Sequence, residues 1–331
     1  MTRVAVLGAG RIGAMHAEIL SPLVEPGSLV VADPDPGRAA SVAANVGGKP
    51  AGIDEAIATA DALVITASSS AHPELIRAGI ERDLPVFCEK PLAADLDESQ
   101  RLVEEIEASG IPFQLGFQRR FDAAYLEARR LVSDGTLGTL YVVRMAGHDP
   151  EPAQETTIAR SGGIFNDFTI HDFDAVRWLT AQEVEEVYAD GDVLGFPTFA
   201  KYDDVDTAVA TLRLSGGTRA ILSATRHDPL GYDIRTELFG SGDSVSIGLG
   251  PRTPLRSLEP GVAPPPGPAW SHFIDRFHDA YANEDAAFLR VARGEEESAC
   301  TARDGLEATR VAVAAARSLR EHRPIQVREV A

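Results

Sequence analysis

Asp167 and His171 are the first residues whose types and spacing suggest chemistry. They lie in Phe165-Asn166-Asp167-Phe168-Thr169-Ile170-His171-Asp172-Phe173-Asp174. On a helix, positions i and i+4 project from one face a turn apart, which would set a carboxylate beside an imidazole. Asp174 and Trp178 continue that stripe. Imidazole is the side chain best suited to moving protons near neutral pH, and an adjacent carboxylate orients it and favours its charged form. A helix histidine hydrogen-bonded within a core would read the same way.

A second candidate is Gly8-Ala9-Gly10-Arg11-Ile12-Gly13, which follows the apolar run Val4 to Leu7 and opens a helical pattern through Leu20. Strand, glycine turn and helix are the context in which this spacing binds a dinucleotide. Gly8 permits the tight turn, Gly10 leaves room for a pyrophosphate, and Gly13 allows close helix–strand packing. The helix start at Arg11 and Ile12 offers free N–H groups to the anion. A second apolar run ends at Asp33, where a carboxylate can accept from the adenosine ribose hydroxyls and would repel a 2′-phosphate. Asp35 adds negative charge nearby, so the expected cofactor is NAD rather than NADP.

Lys90 stands in Glu89-Lys90-Pro91, directly after the apolar run Val86-Phe87-Cys88. The proline restricts its backbone. An ammonium beside a nicotinamide can hold a substrate hydroxyl and stabilise an alkoxide as hydride leaves. A strand-end lysine can also be an ordinary surface charge. Ser68-Ser69-Ser70 with His72 closes an earlier apolar run, and its hydroxyls either face a cofactor or form a plain polar turn.

These groups need elements to hold them. Apolar runs at Ala62 to Thr66, Val86 to Cys88 and Phe113 to Gly116 alternate with helical patterns at His72 to Arg82 and Leu96 to Ser109. That alternation predicts an α/β Rossmann domain, a doubly wound parallel sheet, over residues 1–120, with ligands beyond the carboxyl ends of its strands. Gly116 to Phe121 is the crossover, and Asp122 to Val132 reads as a helix. Strand-like runs follow at 140–146, 184–188, 207–214, 219–225, 235–239 and 244–247, with Ser215-Gly216-Gly217 as a hairpin turn. Residues 121–331 are therefore expected to form an α+β domain with a largely antiparallel, open-faced sheet. An uncovered apolar sheet face asks for a second subunit, so a homo-oligomer, dimer or tetramer, is expected. Pro260 to Pro268 reads as an extended loop, and 273–292 and 301–320 as helices.

Composition narrows the function further. The 331 residues carry 31 Lys plus Arg against 50 Asp plus Glu, a formal net charge of −19. So acidic a surface repels phosphate backbones and excludes nucleic acid as a partner. No apolar run approaches membrane-spanning length. Cys88 and Cys300 are the only cysteines, which argues for a reducing cytoplasm and against a cysteine metal cluster. The chain enters an apolar strand pattern at once, with no basic segment, apolar core and cleavage site, so a cytoplasmic location is expected and no metal is called for.

The glycine pattern, Glu-Lys-Pro after the fourth strand and a downstream Asp-x-x-x-His occur in one order. Together they resemble the Gfo/Idh/MocA oxidoreductase family. Gly116-Phe117-Gln118-Arg119-Arg120-Phe121-Asp122 and Ser161-Gly162-Gly163-Ile164-Phe165 look like its inositol 2-dehydrogenase branch. The resemblance covers nearly the whole chain. It implies Lys90, Asp167 and His171 as the catalytic set, with Glu89, Ser68, His72 and Gln118 on the cofactor side. It implies Arg120, His148, Asp149 and Tyr232, beside Asp167 and His171, on the side of a small polyol or sugar substrate. Two departures stand out: Ala67-Ser68 where members often have Thr-Pro, and Ala153-Gln154 and Thr157 where inositol-type sequences carry prolines and a tyrosine. The expected activity is NAD-dependent oxidation of a ring secondary alcohol of a cyclitol. A related sugar dehydrogenase or reductase, or a non-catalytic NAD-binding sensor, are the alternatives.

Overall fold

The first sheet is built from short runs without polar alternation, as befits strands covered by helices on both faces. The structure, a computed structural model, describes residues 2–330. In chain order the elements are β1 (Val4–Leu7), α1 (Arg11–Leu20), β2 (Leu29–Ala32), α2 (Pro36–Val46), β3 (Lys49–Ala51), α3 (Ile53–Thr59), β4 (Ala62–Ile65), α4 (His72–Ile80), β5 (Val86–Glu89), α5 (Leu96–Ser109) and β6 (Phe113–Gly116). The order across the sheet is β3-β2-β1-β4-β5-β6, every pairing parallel. The chain reverses its direction of winding between β1 and β4, the place where such sheets bind ligands. Three further elements, α2, β3 and α3, lie outside those that the sequence pattern predicts. Asp35 caps α2 by accepting from Gly37 N and Arg38 N, and Asp95 caps α5 by accepting from Glu98 N. Each such cap is worth about 1 kcal/mol.

The remaining elements are α6 (Ala123–Ser133), β7 (Leu140–His148), α7 (Glu155–Ser161), α8 (Ile164–Asp167), α9 (Ile170–Thr180), β8 (Val184–Asp192), β9 (Thr207–Leu214), β10 (Arg219–Thr225), β11 (Asp233–Gly240), β12 (Ser244–Ile247), α10 (Phe273–Ala292), α11 (Ala302–Glu321) and β13 (Ile325–Gln326). Their sheet runs β12-β11-β7-β10-β9-β8-β13. Every pairing is antiparallel except β7 with β10, which run parallel. The expected hairpin at Ser215-Gly216-Gly217 joins β9 and β10. Alternate residues of β7 to β10 are buried, among them Val143, Met145, Ala189, Leu212 and Leu222, while Tyr141, Tyr188, Val209 and Ile221 point outward. The open face is as the sequence reading expects.

The chain packs as two units. One is the chain up to Phe121 together with Asp279–Leu306; the other is Asp122–His278 together with the chain from Glu307 on. The return of Asp279–Leu306 to the first unit lies outside the two contiguous segments read from sequence. Its cause is hydrophobic: Phe288 and Leu289 of α10 are buried among Val4, Val6, Val31, Val64 and Phe87. Phe277, at φ −115° and ψ 16°, kinks α10 just before that return.

Candidate active site

In the first unit, β1 ends at Leu7 and the chain turns at Gly8, whose φ is +111°. A Cβ there would lie 2.6 Å from Ala67 N, so glycine is required on two counts. At Gly13 an added Cβ would lie 1.8 Å from Gly8 O, which fixes how closely α1 can approach the turn. Gly10, by contrast, caps α1 with nothing within 4 Å of where its Cβ would be. That leaves an open cradle at a helix N-terminus, framed by Arg11 and Ile12, which fits a pyrophosphate. At the end of β2, Asp33 accepts from Ala9 N at 2.8 Å and from Asp35 N at 2.9 Å. It is 9 % exposed, so its carboxylate is fixed beside the glycine turn where a ribose would lie. Arg38 reaches to 3.6 Å from it. These residues fit NAD.

The ends of β4 and β5 carry the other candidates. Ser68 and Ser70 are exposed and share a hydroxyl contact of 3.2 Å. His72 is buried between the two strand-end turns, with Nδ1 2.8 Å from Pro91 O and Nε2 3.2 Å from Ala67 O. Burial pushes its pKa down in spite of those carbonyls, so the ring is neutral and donates along the shorter contact. Lys90 is part-buried, and its main-chain N–H donates to Glu89 Oε2 at 3.1 Å. Gln118 is buried. Arg120 is buried too, tied to Ala299 O at 2.8 Å and Asp304 at 3.0 Å.

In the second unit, the parallel pairing of β7 and β10 puts their carboxyl ends side by side, with Thr225 opposite His148. Asp149 and Arg226 follow those ends directly, and Asp149 N donates to Thr225 O at 2.9 Å. Arg226, 3 % exposed, donates to Asp149 at 3.4 Å and to Asp167 at 3.0 Å. It therefore brings together two of the carboxylates expected at the site. Arg226 itself, and Asp204 nearby, were not among the sequence candidates. Asp204 Oδ1 accepts Ile164 N at the start of α8, and burial pushes its pKa up.

Asp167 and His171 do not share one continuous helix. Asp167 ends α8 and Ile170 begins α9. Between them the N–H groups of both Phe168 and Thr169 bond to Ile164 O, at 3.1 and 3.0 Å, which breaks the α register. The break turns the Phe168 ring against Gly147 and under the Arg226 guanidinium, 5.3 Å from the ring centre.

His148 Nε2 lies 3.3 Å from Ser223 Oγ, and its Nδ1 lies 3.6 Å from Asp233. With Asp228, these residues bring ligand-type atoms within 4.8 Å of one another. Asp233, however, already accepts from Arg235 Nε at 2.9 and 3.0 Å. Burial alone would raise its pKa, but the hydrogen bonds from His148 and Arg235 leave it lowered. Tyr232 is buried just before β11, its N–H donating to Trp270 O at 2.8 Å. His227 packs edge-on against Phe196 and joins none of these groups among the contacts described.

Known proteins match both halves. A model described as the NAD-binding Rossmann fold of an oxidoreductase family matches residues 2–117, and one described as the GFO/IDH/MocA C-terminal domain matches residues 125–246. A myo-inositol dehydrogenase of Streptomyces leeuwenhoekii is 40 % identical over 327 residues, 95 % of this chain and 96 % of that protein. A myo-inositol 2-dehydrogenase of Thermotoga maritima is 35 % identical over 334 residues, 99 % of each chain. The crystal structure of a scyllo-inositol dehydrogenase from Lactobacillus casei, with bound NAD(H) and scyllo-inositol, superposes with a TM-score of 0.87 at 27 % identity. It covers 99 % of both chains.

Proposed function

Since the chain belongs to the GFO/IDH/MocA family of NAD-binding oxidoreductases, we propose that it oxidises a ring secondary alcohol of a cyclitol, myo-inositol or a related inositol, to the ketone. The observation that carries this reading is the likeness, along almost the whole chain, to proteins named for that reaction. It is not confined to the nucleotide-binding half, which many dehydrogenases share.

The glycine turn at Gly8, Gly10 and Gly13, with Asp33, would hold NAD, which would supply the acceptor for the hydride on the substrate carbon. His171 accepts the hydroxyl proton, so that the C–H and O–H bonds are exchanged for C=O. We assign Asp167, itself held by Arg226, to orienting His171 across the break between α8 and α9. Lys90 holds the substrate oxygen and stabilises its developing charge. His148, Asp149 and Tyr232 are assigned to the substrate side, and Ser68, His72, Glu89 and Gln118 to the cofactor side. Arg120 keeps its substrate assignment only indirectly, through the turn that its bonds to Ala299 and Asp304 hold in place.

The test is NADH absorbance with a panel of inositols and pyranoses. Turnover of an inositol supports the reading. Turnover of pyranoses alone would favour a sugar dehydrogenase, and Ala153, Gln154 and Thr157, standing where inositol-type sequences carry prolines and a tyrosine, make myo-inositol itself the member of the panel to watch. Tight NAD binding without turnover of any of them would leave an NAD-binding sensor.

Among the described residues no helix is long and apolar enough to cross a membrane. Both cysteines are free and buried, which fits work in a reducing cytoplasm. The outward sheet face carries Tyr141, Tyr188, Val209 and Ile221, and we assign that face to contact with a second copy of the chain.

A further inference from the structure

His16 lies on α1 with its side chain fully buried, and both of its ring nitrogens face carboxylates. Nδ1 is 2.8 Å from Asp285 Oδ1, and Nε2 is 3.1 Å from Glu89 Oε1. The rings of Phe87 and Tyr281 pack on it at 5.2 and 5.7 Å. An imidazole placed between two acceptors donates to both only when both nitrogens carry protons. The second oxygen of Glu89, Oε2, accepts the main-chain N–H of Lys90. A continuous series of contacts thus runs from Asp285 through His16 and Glu89 to the backbone of Lys90. Nothing in the mechanism above uses His16 or Asp285.

Burying a charged histidine with two carboxylates is expensive unless the geometry is well satisfied. A surface turn needs no such arrangement to hold a lysine that merely meets solvent. Here the arrangement fixes one carboxylate whose free oxygen is spent on the residue that delivers the ammonium. We propose that His16 is a positioning residue for Lys90: backed by Asp285, it immobilises the Glu89 carboxylate, which in turn holds the Lys90 main chain. The inference rests on the assignment of Lys90 as the cation at the substrate oxygen. Misplacing such a group by about 1 Å can cost on the order of a hundredfold in rate.

The sequence contains three lysines, Lys49, Lys90 and Lys201. Reductive methylation of the full-length protein with isotope-labelled formaldehyde therefore gives few dimethylamine NMR signals, with that of Lys90 identified by its loss in Lys90→Arg. His16→Asn and, separately, the isosteric Asp285→Asn should each shift the Lys90 signal. Each should also lower kcat with myo- or scyllo-inositol between about tenfold and a hundredfold, a larger change than any in NAD affinity. His16→Gln, which can still donate toward Glu89, should recover part of the rate. In a Lys90→Met background the loss caused by His16→Asn should disappear, because two residues acting as one unit are not additive. An unshifted Lys90 signal in both single variants, or an undiminished kcat loss in the Lys90→Met background, overturns the proposal. If His16→Asn does not fold, Asp285→Asn carries the test alone. If Lys90→Met turned over normally, the assignment of Lys90 would fail instead, and the NMR signal would still decide whether His16 positions it.

Discussion

Arg226 donates to Asp167 through Nη2 at 3.0 Å, joining the end of a strand to the end of a helix 59 positions earlier in the sequence. The same guanidinium reaches Asp149 through Nη1, so one planar fork serves two carboxylates, which a point ammonium does less well. Arg226→Lys is expected to fold and to lose about tenfold in kcat, since a smaller cation cannot hold Asp167 and Asp149 together. Arg226→Leu should cost about 1–3 kcal/mol of stability, because it removes a buried charged donor from the two part-exposed carboxylates of Asp149 and Asp167. Denaturant unfolding and steady-state kinetics read the two effects. A lysine variant as active as wild type would remove Arg226 from the site.

The assigned chemistry predicts a separation between binding and turnover. Lys90→Ala and His171→Ala should each lower kcat by about 10²–10³, the usual cost of removing one preorganised group that acts on developing charge. NAD affinity, followed by fluorescence quenching, should change little. Either variant with near-normal turnover would lose its assigned role.

Cofactor choice depends on Asp33, whose carboxylate is held by the N–H groups of Ala9 and Asp35. Arg38 lies on the same side, 3.6 Å away. Asp33→Ser removes the charge that repels a 2′-phosphate and leaves Arg38, which also lies 3.7 Å from Asp35, close enough to meet it. The ratio of kcat/KM for NAD over NADP should fall by at least about tenfold, roughly the worth of one charged contact. A wild-type enzyme that prefers NADP would sink the assignment before any substitution is made.

How legible each feature is in the sequence follows from how local its cause is. The glycine turn and Asp33 could be read because strand, turn, helix and carboxylate lie within one short segment. Lys90 is singled out on an equally local ground, its restricting proline being the next residue, and its role stays a proposal. Arg226 was not, because what gives it meaning is Asp149, 77 positions away, and a parallel strand pair inside an otherwise antiparallel sheet. His16 reads as one more residue of an amphipathic helix until Asp285, 269 positions on, is set against it. The break between α8 and α9 carries no proline or glycine at Phe168-Thr169 to mark it, so spacing alone predicts an unbroken helix there. β3 is not legible because Lys49-Pro50-Ala51 is a short, largely exposed edge strand without an apolar run.

The buried cluster around His16 makes stability depend on pH in a definite direction. Burial alone would lower the pKa of His16, but Asp285 and then Glu89 reverse this and hold it well above 6.5. Burial, reinforced by Glu89, pushes Glu284 well above 4.5, and burial raises Asp285 as well. Tyr281 also faces His16, and Cys88, raised by burial, adjoins Glu89. Above these ordinary values the unfolded chain has released protons that the folded chain keeps, so stability falls as pH rises. Exposed ion pairs act with the opposite sign in acid, so the difference between variant and wild type is the quantity to follow. Glu284→Gln should remove the part of the decline that starts near 4.5, and His16→Asn the part that starts near 6.5. Thermal melts across the pH range check this, and curves for Glu284→Gln that run parallel to wild type throughout would contradict it.

The outward sheet face supplies the last prediction. Tyr188, Thr211, Ile221 and Arg144 form one row across β8, β9, β10 and β7 by strand register. Val209 and Tyr141 lie on the same side. Tyr141 is 57 % exposed and Ile221 46 %. Four large apolar side chains, Tyr141, Tyr188, Val209 and Ile221, exposed on one broad sheet suit a self-complementary contact between copies. Wild-type protein should therefore scatter light as a dimer or tetramer. Ile221→Glu, which sets a charge in the middle of the row, should lower the mass. Because Ile221 is already half exposed in the single chain, the protomer itself should lose no more than about 0.5 kcal/mol. A drop in mass with intact far-UV dichroism and NAD binding would place the contact on this face. A wild type that is monomeric at assay concentration would refute it.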